Sequence, residues 1–336
     1  MRLLPVLLFL LSANALAQAA APLPAPSAIA EQEIREMAAV VVTGVQPGPG
    51  MWKVSKGEHV LWVMGTLTPL PKGMSWLSRD VEAVIAQAGE VLDPPGLTFD
   101  SDIGRFRAML MIPSLLKARK NPDGRTLSQV LPAPLHARWS VLKARYLGRD
   151  AGVEKWRPVF ASQELYQAAL KKSGLTQSGV VGPVVDKLAK AHATRRTSTL
   201  VKVKIENPKE AIREFSTSSL ADIACFEKTI ARLESDLPMM TARANAWTIG
   251  DIEALRALPY DDQNRTCLNA FLESGIAQKR GMDDVPQRVE AMWLAKAEAA
   301  LAANQVTFAT LPIAMLLRPD GYLSKLQSKG YVVEAP

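Results

Sequence analysis

Two short apolar runs, Trp52-Lys53-Val54 and Val60-Leu61-Trp62-Val63-Met64, flank a Ser55-Lys56-Gly57-Glu58 turn, and the pattern predicts a β-hairpin. Gly65-Thr66-Leu67-Thr68 follows the second run, and Pro69 and Pro71 stop it. Ser78 can cap a helix in which Val81, Val84, Ile85 and Ala88 recur at helical spacing up to Gly89. Glu90-Val91-Leu92-Asp93 then predicts a short strand, ended by Pro94-Pro95-Gly96. Strand, loop, helix, strand is the order of a parallel βαβ pair. The same order returns at the C-terminus. There Pro286–Ala303 carries a long helical pattern and Val306–Leu311 a strand. Asp320 can cap a helix through Leu323 and Leu326, Gly330 closes it, and Tyr331-Val332-Val333 is a last strand.

The intervening chain is mostly helical. Met109–Leu116, Trp139–Tyr146 and Ser162–Leu170 have helical spacing, with Pro113, Pro132, Pro134 and Pro158 as punctuation. Leu200–Ile205 alternates apolar residues with lysines, the mark of a half-buried strand. Asn207-Pro208-Lys209-Glu210 places an N-cap, a first-turn proline and an acid at the head of a largely helical stretch from 209 to 257. The expected class is α/β. A mixed sheet built from two strand–loop–helix–strand units is covered by a large helical middle region.

The N-terminus changes the picture of where the chain works. Met1 and Arg2 precede an apolar run from Leu3 to Leu11, and small residues lead to Ala15-Leu16-Ala17. This is the order of a secretory signal peptide, with cleavage expected after Ala17 and the bacterial periplasm as destination. An uncleaved N-terminal anchor is the other reading of the same run. Residues 18–50, rich in Ala and Pro with a Pro47-Gly48-Pro49-Gly50 break, read as a linker or partly ordered lead-in, and 51–336 as the folded domain. No later stretch is long and apolar enough for a transmembrane helix, so none is expected after signal cleavage.

Composition adds further limits. Hydrophobic residues make up 48% of the chain, enough for a core, and the formal net charge is +7. The densest basic stretch, Lys187 to Arg196 with Lys202 and Lys204 beyond it, lacks the aromatic partners and recognition motif of a nucleic-acid site. It reads as a solvated basic face, and no nucleic-acid partner is expected. Cys225 and Cys267 are too far apart for a CxxC redox pair. Export favours a structural disulfide between them, and two separate buried thiols are the other arrangement.

Several segments together resemble the TraB/GumN family, which is related to the Tiki metalloproteases. They are Gly50-Met51-Trp52-Lys53-Val54, Val60–Met64 running into Gly65-Thr66-Leu67-Thr68-Pro69-Leu70-Pro71, Trp247-Thr248-Ile249-Gly250-Asp251, and Ala291 to Glu334. The resemblance covers most of the chain after residue 50, with residues 95–200 poorly marked. It implies a GxxH at the end of each of two key strands and an acidic residue ending the strand after the first helix. In such proteins these groups form or support a divalent-metal site for peptide hydrolysis, where the metal acidifies a bound water.

This chain departs at the decisive positions. The first GxxH reads Gly65-Thr66-Leu67-Thr68, and the second reads Thr307-Phe308-Ala309-Thr310, in a register supported by Leu311-Pro312. Asp93 stands at the acidic position, and Arg288 aligns loosely with an arginine of the helix before the last key strand. A neutral threonine hydroxyl is a poor ligand for a metal that prefers imidazole or thiolate. The expected remnant cleft therefore comprises Gly65, Thr66, Thr68, Asp93, Arg288, Thr307 and Thr310, with no cofactor. A non-catalytic protein is implied, binding a peptide, an envelope polymer or a partner protein. The alternative is a metal-dependent peptidase or hydrolase with a divergent ligand set, for which Asp93, Thr68, Thr310 and Arg288 are the first suspects.

The other candidate groups read as structural. His59, His136 and His192 lack the i, i+4 spacing of a helical metal pair. A calcium-type cluster of Asp93, Asp100 and Asp102 competes with a plain turn at Asp93-Pro94-Pro95-Gly96. Thr68 and Ser78 have no evident triad partners. Trp52, Trp62, Trp76 and Trp247 read as packing rather than as a ligand cage.

Overall fold

A computed structural model describes residues 47–100, 103–217, 222–258, 267–268, 272 and 275–336, and these lie within one compact unit, Ala39–Pro336. The expected signal peptide, most of the lead-in, and Asp102 fall outside the described residues. In chain order the first elements are β1 (Met51–Lys56), β2 (His59–Thr66), β3 (Leu70–Pro71), α1 (Arg79–Gln87), β4 (Glu90–Leu92) and β5 (Gly96–Asp100). The helical middle comprises α2 (Arg105–Ala118), α3 (Leu127–Val130), α4 (Ala133–Tyr146), α5 (Pro158–Lys172), β6 (Leu175–Thr176), α6 (Val181–Ala191), β7 (Arg195–Thr197) and β8 (Leu200–Lys204). It continues through α7 (Pro208–Thr217), α8 (Asp222–Ser235), α9 (Leu237–Ile249), α10 (Ile252–Ala257) and α11 (Gly275–Lys279). The C-terminal unit is α12 (Val285–Ala303), β9 (Val306–Pro312), α13 (Ile313–Leu316), α14 (Tyr322–Ser328) and β10 (Val332–Glu334).

The class is α/β with a mixed sheet, as the two strand–loop–helix–strand units lead one to expect. Six strands lie in the order β10-β1-β2-β9-β4-β7. The hairpin β1–β2 forms around positive-φ Gly57, and its apolar positions alternate into the core, so Trp52, Val54, Leu61 and Val63 are buried. The two units share this sheet but interleave. Strand β9 enters between β2 and β4, parallel to both, so those two strands are parallel without being neighbours. The chain then crosses β2 and β1 to lay β10 antiparallel on β1. A βαβ pattern fixes strand direction through its crossover, but adjacency depends on a strand more than 200 residues away.

Three further expectations are corrected. Strand β5 begins at Gly96, directly after the two prolines, and pairs in parallel with β8 as a separate two-stranded sheet. The last strand pairing of the main sheet, β4 with β7, is made by Arg195–Thr197 inside the basic stretch. Asp320 is not the cap of α14, whose N-cap is Gly321. Its carboxylate instead receives two hydrogen bonds from Arg318, at 3.0 and 2.8 Å, which holds it below the usual carboxylate range.

The helical middle covers the sheet only in part. Helices α6, α9, α10 and α12 contribute Val185, Trp247, Leu255 and Trp293 to the core on the sheet. Helices α4, α5, α8 and α9 enclose a second core of their own, with Trp139, Leu165, Phe226 and Met240 fully buried. Cys225 on α8 is positioned as a disulfide with Cys267, Cα atoms 4.8 Å apart. No helix among the described residues is long and apolar enough to cross a membrane.

Candidate functional site

In an open sheet, ligands bind beyond the carboxyl ends of the parallel strands. Here those ends belong to β2, β9 and β4, and they carry Thr66, Pro312 and Asp93. Strand pairing sets Met64 against Thr310, Gly65 against Leu311 and Thr66 against Pro312. Thr310 thus lies within the strand, 7% exposed, whereas Thr68 lies beyond the strand end and before a cis Pro69. Thr307 and Thr310 are separated by three positions on one strand, so their side chains leave opposite faces of the sheet.

Each predicted site residue has a defined place. Thr307 is fully buried at the opposite end of β9, its Oγ1 3.5 Å from both the Ala300 oxygen and Asn304 Nδ2. Gly65 is enclosed: a Cβ there would lie 2.5 Å from Ile313 Cδ1 and 3.3 Å from Leu316 Cδ1. Its carbonyl accepts a 2.9 Å hydrogen bond from the buried Trp247 Nε1. Ring packing of Trp76 edge-on to Trp247, 6.4 Å between centroids, extends this wall. Trp52, Trp76 and Trp247 are therefore core residues. Arg288 pairs with Asp284 one turn back, at 3.5 Å, and is 42% exposed at its side chain.

Asp93 is the most constrained of the set. Its carboxylate forms an ion pair with Arg196, which also pairs with Asp186. Its backbone is held as well: the N–H donates to Thr197 O at 3.0 Å, and the carbonyl accepts from Thr199 Oγ1 and Trp293 Nε1 at 3.1 and 3.2 Å. The guanidinium is the detail that sequence reasoning missed. Alternation along β4 and β7 supplies a second pair, in which Arg195 lies 2.9 Å from the buried Glu90. Glu90 also accepts from Thr197 Oγ1 and from Asn304 Nδ2, while His59 Nδ1 donates to the Asn304 oxygen at 2.7 Å. Part of the basic stretch is thus an edge strand that neutralises the two acids of the neighbouring segment. The sequence held no signal for this pairing beyond the opposite charges of the two short segments, Glu90 and Asp93 in one and Arg195 and Arg196 in the other.

These residues do not make a donor set for a transition metal. Two hydroxyls and an arginine-paired carboxylate supply neither an imidazole nor a free carboxylate. Among the described residues no group of three or more His, Cys, Asp or Glu side chains is gathered for a metal ion. His136 sits 3.8 Å from Glu154, and His192 3.8 Å from Glu82, each apart from the others.

These strand ends lie within the stretch matched by a family model. The model for the TraB/PrgY/gumN family matches residues 50–335. The chain belongs to the TraB/PrgY/gumN family. No curated protein and no solved structure matches it.

A separate recess lies between α12 and the Arg318–Lys329 segment that contains α14 in this TraB/PrgY/gumN protein. It encloses about 760 Å³ and is lined by Gln287, Glu290, Leu294, Glu298, Lys325 and Lys329, among others. Lys325 pairs with Glu290 and Lys329 with Glu298, linking the α14 segment to α12. None of the seven residues predicted for the remnant cleft lines this recess.

Proposed function

We propose that this TraB/PrgY/gumN protein is exported to the periplasm by cleavage after Ala17 and is non-catalytic, a pseudoenzyme that binds a ligand in the remnant cleft. The observation that carries the reading is Asp93, the acid of the ancestral site, paired with Arg196 while threonines occupy both histidine positions. A guanidinium bound to that carboxylate occupies the charge a metal would need. Without a metal, the route by which a bound water would be acidified at this position is lost. What survives is a fold whose strand ends still form a walled edge, with Asp93, Thr66 and Thr68 as polar groups. An extended peptide is the ligand most in keeping with the family resemblance. An envelope polymer and a folded periplasmic protein are the other outcomes of a binding screen.

The Cys225–Cys267 pair supports export, since disulfides persist in oxidising compartments. Residues 51–336 act as a single domain in this reading, with 18–50 as the lead-in.

The test is cleavage of a broad peptide library by the purified protein, in parallel with a Thr68→His/Thr310→His variant. The reading expects retained, uncleaved peptides with the natural sequence. Turnover by the natural sequence that disappears in Asp93→Ala would establish instead a hydrolase with a divergent ligand set.

A further inference from the structure

Helix α2 exposes a row of large apolar side chains. Met109 and Leu110 are each 65% exposed, and Ile112, Leu115 and Leu116 about half. Ala118 is buried and Met111 half-buried, which marks the inner side of the helix, where it meets α7. Met109, Ile112 and Leu116, at i, i+3 and i+7, form the outer ridge. Burying such residues in water-free surroundings is favourable, and a ridge left in water marks a docking surface.

Charge identifies what the ridge docks on. The segment carries Arg105, Arg107, Lys117, Arg119 and Lys120, and no Asp or Glu occurs between Ile103 and Pro122. Lys117 and Lys120 are exposed, while Arg119 stacks on Trp156 with its guanidinium 3.6 Å from the ring centroid. The whole chain has the same sign, at +7. An apolar helix with cationic ends and no carboxylates matches a bilayer surface bearing anionic headgroups. Two copies of this helix face to face would bring like charges together. At 14 residues α2 is too short to span a bilayer, so it lies in the plane.

We propose that α2 docks the protein on a phospholipid surface containing anionic lipids. Met109, Ile112 and Leu116 enter the boundary between headgroups and acyl chains, and Lys117 and Lys120 meet the phosphates. The inference does not depend on what the remnant cleft binds.

Flotation with vesicles tests it, using purified protein whose loss of residues 1–17 is checked by mass. Phosphatidylcholine vesicles with and without phosphatidylglycerol are compared. The protein is expected to float with the anionic vesicles, and about tenfold less with the neutral ones. Ile112→Glu/Leu116→Glu should abolish flotation while circular dichroism and melting temperature stay unchanged. Lys117→Glu/Lys120→Glu should remove the preference for phosphatidylglycerol. An environment-sensitive dye on Met109→Cys should shift to the blue with anionic vesicles. Equal flotation of the natural and Glu-substituted proteins, or an unshifted dye, overturns the proposal. So does self-association that is lost in Ile112→Glu/Leu116→Glu without any effect of lipid, which would assign α2 to a contact between copies.

Discussion

Arg196 on the edge strand β7 holds the carboxylate of Asp93 just past the end of β4, across a sequence separation of 103 residues. The pair joins the acid proposed for the remnant cleft to the basic stretch that ends in Arg196. It converts a prospective ligand into one half of an ion pair. On the proposal that this pairing keeps a metal from the site, Arg196→Ala in the Thr68→His/Thr310→His background should raise divalent-metal affinity about tenfold or more over the double variant alone, since removing an adjacent cation favours binding of another. Isothermal titration with zinc reads the difference. Equal affinities would mean that Arg196 has no bearing on the site.

Gly65 gives a packing prediction. Its missing Cβ is the space taken by Ile313 Cδ1, 2.5 Å from where that atom would be. Gly65→Ala should destabilise the protein by about 1–3 kcal/mol through overpacking. Gly65→Ala/Ile313→Val should recover part of the loss. Denaturant unfolding of the two variants measures both.

Arg157 and Asp222 form a buried ion pair at 2.8 Å, joining α8 to the head of α5. Asp222→Ala removes the carboxylate from a guanidinium only 3% exposed and should cost about 3 kcal/mol. Replacing both by apolar residues, Arg157→Met/Asp222→Leu, should cost less than the single change. Thermal unfolding of the three variants decides.

The same carboxyl has a pH signature. Burial raises Asp222 above its ordinary 3.8, outweighing the pull of Arg157 in the other direction. The folded chain therefore holds this proton more tightly than the unfolded chain. Its contribution to stability is complete below pH 3.8 and is lost as pH rises through the raised folded value. Carboxyl chemical shifts should show Asp222 titrating above 3.8, and Asp222→Asn should lack this part of the stability decline.

For the cysteine pair, a thiol titration of unfolded, unreduced protein should find no free thiol. Cys225→Ser/Cys267→Ser should lower stability by about 3–4 kcal/mol, since the bridge closes a separation of 42 residues. Two titratable thiols would remove both the bridge and its support for an oxidising compartment.

Much of this fold was legible because its signals are local. The β1–β2 hairpin, the helix over Val81 and Ile85, the alternating strand at Leu200 and the closing α12–β9 segment each carry their own period within a few residues. The insertion of β9 between β2 and β4 was not legible, because adjacency in a parallel sheet is set by pairing at long range. Strand β7 was hidden because Arg195-Arg196-Thr197 has no apolar core face and gains its order from β4. Of the site, the positions of Thr66, Thr68 and Asp93 at or just past strand ends were readable, since each follows a local strand pattern. The partner of Asp93 was not, since no sequence rule connects residue 93 to residue 196. The strand period also sets Thr307 and Thr310 on opposite faces, which separates two residues expected in one cleft.

The central claim is chemical: these strand ends no longer hold a metal ion. Its most direct test is elemental analysis of the protein purified without chelators, followed by dialysis against zinc, manganese and cobalt. The account predicts metal far below one equivalent with each, and no change in melting temperature on adding them. One tightly held equivalent that raises the melting temperature and is lost in Asp93→Ala would contradict it.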